Sequence, residues 1–274
     1  MRVAIQGVEG SYHHIAAESY FGGEVQLISC DSFAAVFEAL KNNQADFAIV
    51  GAENSIAGTV HPVYDLLIRY NFLVTGEVYE QIHHNLIGLP DSELNDIKRV
   101  FSHQMALPQC DVFLSKQLPG ADRVEFSDTA ASVKHVKELN DTSNAAIASS
   151  LAATLYDLPI LHKNIEDFPN NVTRFLVLTA TDTVASGVNK ASCVLETPHE
   201  PGALWKALGV LAEENINLSK LESRPIPDKP WRYQFLIDID AAGAKLHGTV
   251  HKLEELGCNV RILGEYAAGV KTSS

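Results

Sequence analysis

The chain has 274 residues, of which 46% are hydrophobic and 20% charged, and carries a formal net charge of −13. That length supports two domains with cores of their own. The acidic balance argues against nucleic acid and anionic membrane as partners, and no apolar run approaches the roughly 20 residues of a membrane span. An anionic ligand must therefore be held by local donors. Cys30, Cys110, Cys193 and Cys258 are scattered without paired spacing, which reads as reduced thiols in a cytoplasmic protein. The N-terminus opens directly on an apolar strand, with no signal-peptide pattern.

In chain order, short apolar strands alternate with helical patterns. Arg2–Gln6 leads into Gly7-Val8-Glu9-Gly10-Ser11-Tyr12, and Asp46–Val50 into Gly51-Ala52-Glu53-Asn54-Ser55. Arg99-Val100-Phe101 leads into Ser102-His103-Gln104, and Ala145–Ala148 into Ser149-Ser150. Between them Ser32–Asn42, Met105–Gln117, Thr129–Leu139 and Leu151–Tyr156 read as helices. The alternation predicts an α/β fold with mainly parallel sheets. Ligands of such sheets bind beyond the carboxyl ends of the strands, beside helix N-termini, where each of these polar motifs falls.

A last strand of this part, Phe175–Leu178, follows the turn Asn164–Asn170 and the segment Asn171-Val172-Thr173-Arg174. A hydroxyl beside a guanidinium suits an anionic substrate with an oxygen to be expelled. Neighbouring residues of a regular strand point to opposite faces. Either the backbone turns or bulges there, or Arg174 supports the cleft from behind Thr173.

The polar, Gly-containing stretch Thr181–Lys190 predicts a domain boundary. Beyond it come a strand Ser192–Thr197, a helix Pro201–Glu214, strands Asn217–Ser223 and Tyr233–Asp240 joined by a proline-rich turn, a helix Lys245–Leu256 and a strand Asn259–Tyr266. The order βαββαβ is the ferredoxin-like arrangement.

The histidines give little on their own. His13-His14 and His83-His84 are adjacent pairs, which do not face one way. His247 and His251 lie four apart on a helix without an evident third ligand, so a surface reading is preferred to a metal site.

The segments GVEGSY, GAENSIAGTV, SHQMALPQC, DTAAS, AAIASSLAATLYDL, NIEDFPNNVTRF, PGAL and ESRP, in that order from Val3 to about Tyr266, resemble the prephenate dehydratases that carry a C-terminal ACT domain. Two departures stand out: Gly7-Val8 where the family has Gly-Pro, and Ser102-His103-Gln104 where it has Ser-His-Pro. The resemblance implies two catalytic α/β lobes like those of periplasmic binding proteins, about 1–76 with 160–180 and 77–159. It implies a catalytic domain 1–181 and an ACT domain 191–269. It also implies conversion of prephenate to phenylpyruvate, carbon dioxide and water, with no cofactor and no metal.

Carried over residue by residue, it makes Thr173 the donor to the departing hydroxyl and Arg174 a carboxylate anchor. Asn54, Ser102 and Gln104 are further catalytic candidates, and Glu53, Ser55, Ser11 and His103 candidates for substrate binding. Glu53 is ambiguous, because an anion beside a dianion is unfavourable unless protonated or paired. Ser102 and Ser11 have an alternative reading as helix caps. Gly202-Ala203-Leu204 and Glu222-Ser223-Arg224 match the segments that bind phenylalanine in the family, in homodimers or homotetramers. An arogenate dehydratase and a non-catalytic small-molecule sensor are the rival readings.

Overall fold

A computed structural model describes residues 1–23, 25–181, 187–226 and 229–270. The expected boundary Thr181–Lys190 includes residues 182–186, and the proline-rich turn between the second and third strands of the C-terminal βαββαβ domain includes 227–228; these lie outside the described residues.

The elements follow in order: β1 (Arg2–Gln6), α1 (Tyr12–Phe21), β2 (Gln26–Cys30), α2 (Phe33–Lys41), β3 (Phe47–Asn54), β4 (Gly58–Thr59), α3 (His61–Tyr70) and β5 (Leu73–Gln81). Then come β6 (Asn85–Gly88), β7 (Arg99–His103), α4 (Asp111–Gln117), β8 (Asp122–Phe126), α5 (Thr129–Leu139), β9 (Asn144–Ala148), α6 (Ser150–Leu155) and β10 (Ile160–His162). The chain continues with β11 (Val172–Thr179), β12 (Lys190–Glu196), α7 (Ala203–Glu213), β13 (Leu218–Pro225), β14 (Tyr233–Ile239), α8 (Gly243–Glu255) and β15 (Asn259–Tyr266).

Three sheets result. The first runs β2-β1-β3-β11-β5 with β4 on β3, the second β10-β6-β9-β7-β8, and the third β13-β14-β12-β15. In the first, β1 is parallel to β2 and β3; in the second, β7 is parallel to β8 and β9. Because β5 completes the first sheet and β10 the second, the chain passes between these sheets after Gln81 and after His162.

Alternation explains how the second sheet buries both faces. Ile87, Phe101 and Ala146 pack with Ala130, Val133 and Val136 of α5. Their neighbours Leu86, Val100 and Ile147 pack with Cys110 and Leu114 on the other side. A strand covered on both sides reads as a continuous apolar run, as in Asn144–Ala148.

Side-chain caps set where the helices begin. Ser11, Ser32, Asp128 and Ser149 each accept a backbone N–H three residues on, opening α1, α2, α5 and α6. The predicted helix Met105–Gln117 is shorter: Pro108 sits in a 3-10 turn, and the α-helix starts at Asp111. Two strands are longer than predicted. β3 runs through Asn54 and β11 begins at Val172, so Glu53, Asn54, Thr173 and Arg174 lie within strands rather than beyond their ends.

The third sheet is antiparallel in βαββαβ order, with α7 and α8 on the Ala191–Cys193–Leu195 face. The chain forms two compact units. One contains Met1–Leu66 and Val78–Leu176; the other contains Leu67–Glu77 and Val177–Gly269. Within the second, β5 lies close on β15: a Cβ at Gly264 would come 2.0 Å from the Val74 carbonyl oxygen. The Lys190 Nζ donates to both Glu77 carboxylate oxygens at 3.0 Å, with both side chains buried.

Candidate active site

The site is built on the ends of β3 and β11. Ser55 N donates to Val172 O at 2.8 Å, and Ser55 Oγ accepts from Val172 N at 2.9 Å while donating to Asn170 O at 3.1 Å. Ser55 therefore spends its hydroxyl on holding the 170–172 turn.

Asn54 comes next, and its orientation is forced. Its Oδ1 accepts from the backbone N–H of Ile56 (3.0 Å) and of Ala57 (2.8 Å), so the opposite atom must be the nitrogen. That Nδ2 donates to Asn171 Oδ1 at 2.7 Å and to Thr173 Oγ1 at 2.9 Å. The directions then propagate. Asn171 Nδ2 donates to Gln109 Oε1 at 2.8 Å, and the same oxygen lies 2.9 Å from His84 Nε2, which must carry the proton. His84 Nδ1 is left without a proton, 3.2 Å from the Tyr12 hydroxyl oxygen, whose single hydrogen goes to His83 O at 2.6 Å. Glu166 fixes the pair from below, accepting from His84 N at 2.9 Å and meeting His83 Nδ1 at 2.8 Å.

This chain links the first sheet to the second. Its chemical consequence lies at Thr173. The hydroxyl oxygen accepts from Asn54, so its own hydrogen is available for another acceptor. Burial keeps the network uncharged, holding His84 below the usual histidine range and Tyr12 well above the usual phenol range.

The other expected residues sort differently. Arg174 is buried, with Nη1 3.9 Å from Glu53 Oε2. The regular strand sends it away from Thr173, so the guanidinium stands behind the strand, and its charge partners the ambiguous Glu53. Ser102 is corrected on two counts. It lies inside β7, not at a helix start, and its fully buried hydroxyl donates to Ile147 O at 2.7 Å. It has no proton left for a substrate.

Gln104 is likewise not brought to the cluster. It is exposed and lines a separate cavity of about 460 Å³ with Leu107, Pro108, Asp111, Arg123 and Glu125. The amide that joins Asn171 is Gln109, five residues on. His103 Nδ1 accepts from Met105 N at 3.2 Å, and burial lowers its pKa, which leaves a neutral ring with its proton on Nε2. Ser11 is buried and caps α1.

The loop before α1 packs tightly on the second sheet's helices. Gly10 has φ +88, and a Cβ there would meet Ala152 Cα at 2.9 Å; Ser149 Oγ donates to Gly10 O at 2.7 Å. The turn closes through Ser11 N to Val8 O at 3.1 Å, without the family's proline.

Sequence reasoning assigned no role to Asn171, Gln109, His84 or Tyr12. Their signal was present as polar residues inside the quoted motifs, but nothing in spacing shows which of two nearby glutamines faces inward.

In the third sheet, Gly202, Ala203 and Leu204 line a cavity of about 230 Å³ with His199, Trp205, Arg232, Tyr233 and Phe235. No side chain caps α7, which leaves first-turn amides for an anion. Glu222, Ser223 and Arg224 lie on the edge strand β13, opposite Leu236, Phe235 and Gln234, and do not line that cavity. His247 and His251 are exposed and pair with Glu265 and Glu255. No helix among the described residues is long and apolar enough to cross a membrane.

Residues 3–183 match the family described as prephenate dehydratase, and residues 192–245 match the ACT domain. A bifunctional chorismate mutase/prephenate dehydratase of Neisseria gonorrhoeae is 36% identical, over 98% of this chain and 75% of that one. An arogenate dehydratase/prephenate dehydratase of Arabidopsis thaliana is 38% identical, over 97% and 72%. Among solved structures, a prephenate dehydratase in complex with L-Phe from Arthrobacter aurescens has TM-score 0.86 at 29% identity, over 97% of this chain and 90% of that one. GqqA, described as a quorum quenching acylase, has TM-score 0.87 at 31% identity, over 98% of both chains. With the family match spanning the Thr173 network and an ACT match following it, the chain belongs to the prephenate dehydratase family.

Proposed function

We propose that the chain dehydrates and decarboxylates prephenate to phenylpyruvate, with Thr173 as the donor to the departing hydroxyl. The observation that carries this is the Asn54–Thr173 hydrogen bond, whose direction leaves the threonine hydrogen free. The ring carboxylate leaves as carbon dioxide, and its bonding pair moves into the ring. The opposite C–O bond breaks, the ring becomes aromatic, and the hydroxide takes up a proton to become water. The drive is large; the difficulty is the poor leaving group, which needs a donor as charge develops on its oxygen. An aliphatic hydroxyl is too weak an acid to give its proton up outright, so Thr173 donates a hydrogen bond while water completes the transfer. Arg174, behind the strand, contributes positive potential partly matched by Glu53.

The third-sheet domain is the regulatory part. A phenylalanine carboxylate suits the uncapped start of α7. Trp205 and Tyr233 stand exposed around that cavity, by 77% and 46%, as expected where a second copy covers them. A homo-oligomer would bring the β13 segment of one copy to the α7 start of another. A cytoplasmic location fits the protein's four unpaired cysteines.

Arogenate is the second substrate reading. It differs by an amine in place of a keto oxygen, and the Arabidopsis relative is named for both activities. A hydrolytic reading after the acylase finds no support at Ser11, Ser102 or Ser149, whose hydroxyls serve as caps or bond to backbone carbonyls. Purified protein is mixed separately with prephenate and with arogenate, and product absorbance is followed. Formation of phenylpyruvate from prephenate supports the reading, and no product from either substrate defeats it.

A further inference from the structure

We propose that His13 is a substrate-binding residue of this site, presenting a neutral Nδ1–H as a hydrogen-bond donor to a substrate carboxylate. The proposal rests on the dehydratase reading. His13 lies in the first turn of α1, and its Nε2 accepts from Gly51 N at 3.1 Å. A backbone amide can only donate, so Nε2 is bare and the ring proton sits on Nδ1. The plane of the ring is also fixed. Its edge meets Phe175 at 5.1 Å between centroids with an 82° interplanar angle, and Phe33 at 5.8 Å and 61°.

These anchors are on the catalytic strands. Gly51 lies three residues before Asn54 in β3, and Phe175 two after Thr173 in β11. The ring is thus held by the same two strands that hold the donor. Nδ1 has no acceptor among the described residues, and the residue is partly exposed rather than sealed. Burial, with a smaller effect of the nearby His103, holds the imidazole down to about 3, so it stays neutral at working pH.

His103, from β7 of the second sheet, has the complementary tautomer with its proton on Nε2. A neutral imidazole N–H thus comes from α1, held on the first sheet by Gly51, and another from β7 of the second sheet. This answers a question the fold raises: Arg174 is buried beside Glu53, so a dianionic substrate needs donors from elsewhere.

The test uses the full chain, with His13→Phe, which keeps a ring and removes both nitrogens, and His13→Asn, which keeps an acceptor for Gly51 and an N–H donor. A hydrogen bond to a charged group predicts a KM for prephenate raised about 10- to 100-fold in His13→Phe, with kcat within about threefold. His13→Asn should recover most of that loss. In 15N-histidine-labelled wild type, the His13 Nδ1–H signal should shift on saturation with phenylpyruvate, which keeps one substrate carboxylate.

An unchanged KM in a folded His13→Phe protein, or a KM lost equally in His13→Asn, overturns the proposal. Should the variants fail to fold, the labelled wild type decides, and an unmoved Nδ1–H signal overturns it. A wild type inactive on both prephenate and arogenate defeats the dehydratase reading separately; the phenylpyruvate titration then still decides the donor role of His13.

Discussion

Asn54 Nδ2 lies 2.9 Å from Thr173 Oγ1, and the direction of that hydrogen bond is set by two backbone amides, those of Ile56 and Ala57, at the far end of the Asn54 side chain. The Thr173 hydrogen is left over for another acceptor because Asn54 can only give there, not take. Thr173→Val keeps the shape of the side chain and removes the donor. We expect kcat to fall by about 10²–10³ with little change in KM, the cost of losing a donor to developing charge. Asn54→Asp should fall as far by a different route. One carboxylate oxygen still accepts from Ile56 and Ala57, but the other now draws the threonine hydrogen to itself. The double variant should be no slower than either single one, because both remove the same interaction. Rates measured at saturating prephenate check this; a kcat within about threefold of wild type for either single variant would exclude this donor.

Gln109 Oε1 receives two hydrogen bonds, from Asn171 at 2.8 Å and from His84 at 2.9 Å. Gln109→Leu leaves both donors unpaired in a buried place, which costs about 1–3 kcal/mol per group. Both stability and kcat should fall. Gln104→Leu, five residues away on an exposed turn, should change neither. Chemical denaturation and initial rates on the pair of variants make the comparison, and equal effects at the two positions would count against the network.

That contrast marks what was legible in the sequence. The βαββαβ order was readable because each element has its own periodicity, and β15 and α5 coincide with their predicted spans. The parallel strands were readable as continuous apolar runs. The inward-facing residues were not. Ser102 and Gln104 share a polar turn motif with His103, yet one is buried in the register of β7 and the other faces outward. Register depends on which strand pairs with which, and only tertiary structure fixes it. His13 was hidden for a related reason: an adjacent pair has no shared face, so one of the two can be a cap-side contact and the other a ligand to Gly51.

Two histidines held neutral in the fold make stability depend on pH. The folded protein holds His13 at about 3 and His84 below its usual value, both mainly through burial. The unfolded chain protonates both near their ordinary value of about 6.5. Between these limits the unfolded state binds more protons, so stability falls as pH drops below about 6.5 and does not change through these groups above it. His13→Asn removes one such group and should flatten the slope between pH 6 and 4 by up to about 1.4 kcal/mol per pH unit. Urea midpoints for wild type and variant across that range measure it, and parallel curves would show that His13 is not held neutral.

Lys190 and Glu77 are both nearly sealed, and the Glu77 carboxylate also accepts from Gly269 N at 3.0 Å. Removing one partner of a buried, hydrogen-bonded pair leaves an uncompensated charge and typically costs about 3–5 kcal/mol. Lys190→Met should therefore lower the unfolding midpoint sharply. The double variant Lys190→Met with Glu77→Gln should recover part of the loss, because no charge is stranded. A double variant less stable than either single one would mean that the pair is not the dominant interaction there.

Phenylalanine inhibition is best tested at Gly202, and the compact units explain why. Deleting the chain after Thr181 would strip the third sheet from Leu67–Glu77, exposing Glu77 and the strand that lies on Gly264. Loss of activity in such a truncation would report misfolding as readily as regulation. Gly202 offers a cleaner change. Its φ is +80, and a Cβ there meets nothing within 4 Å. Gly202→Val therefore strains the backbone by about 1–2 kcal/mol without a clash, and it crowds the α7 amides that would receive an amino-acid carboxylate. Basal turnover of prephenate should stay near wild type, while phenylalanine inhibition weakens or disappears. Phenylalanine is aromatic already and has one carboxylate, so it is a poor competitor for a site shaped to a non-aromatic dianion. An effector bound elsewhere acts only by favouring a less active state, and its loss leaves that equilibrium unmoved. Initial rates over a phenylalanine titration decide the matter. Inhibition of undiminished strength in Gly202→Val, with KM for prephenate rising in proportion to phenylalanine, would place the effector in the Thr173 cleft instead.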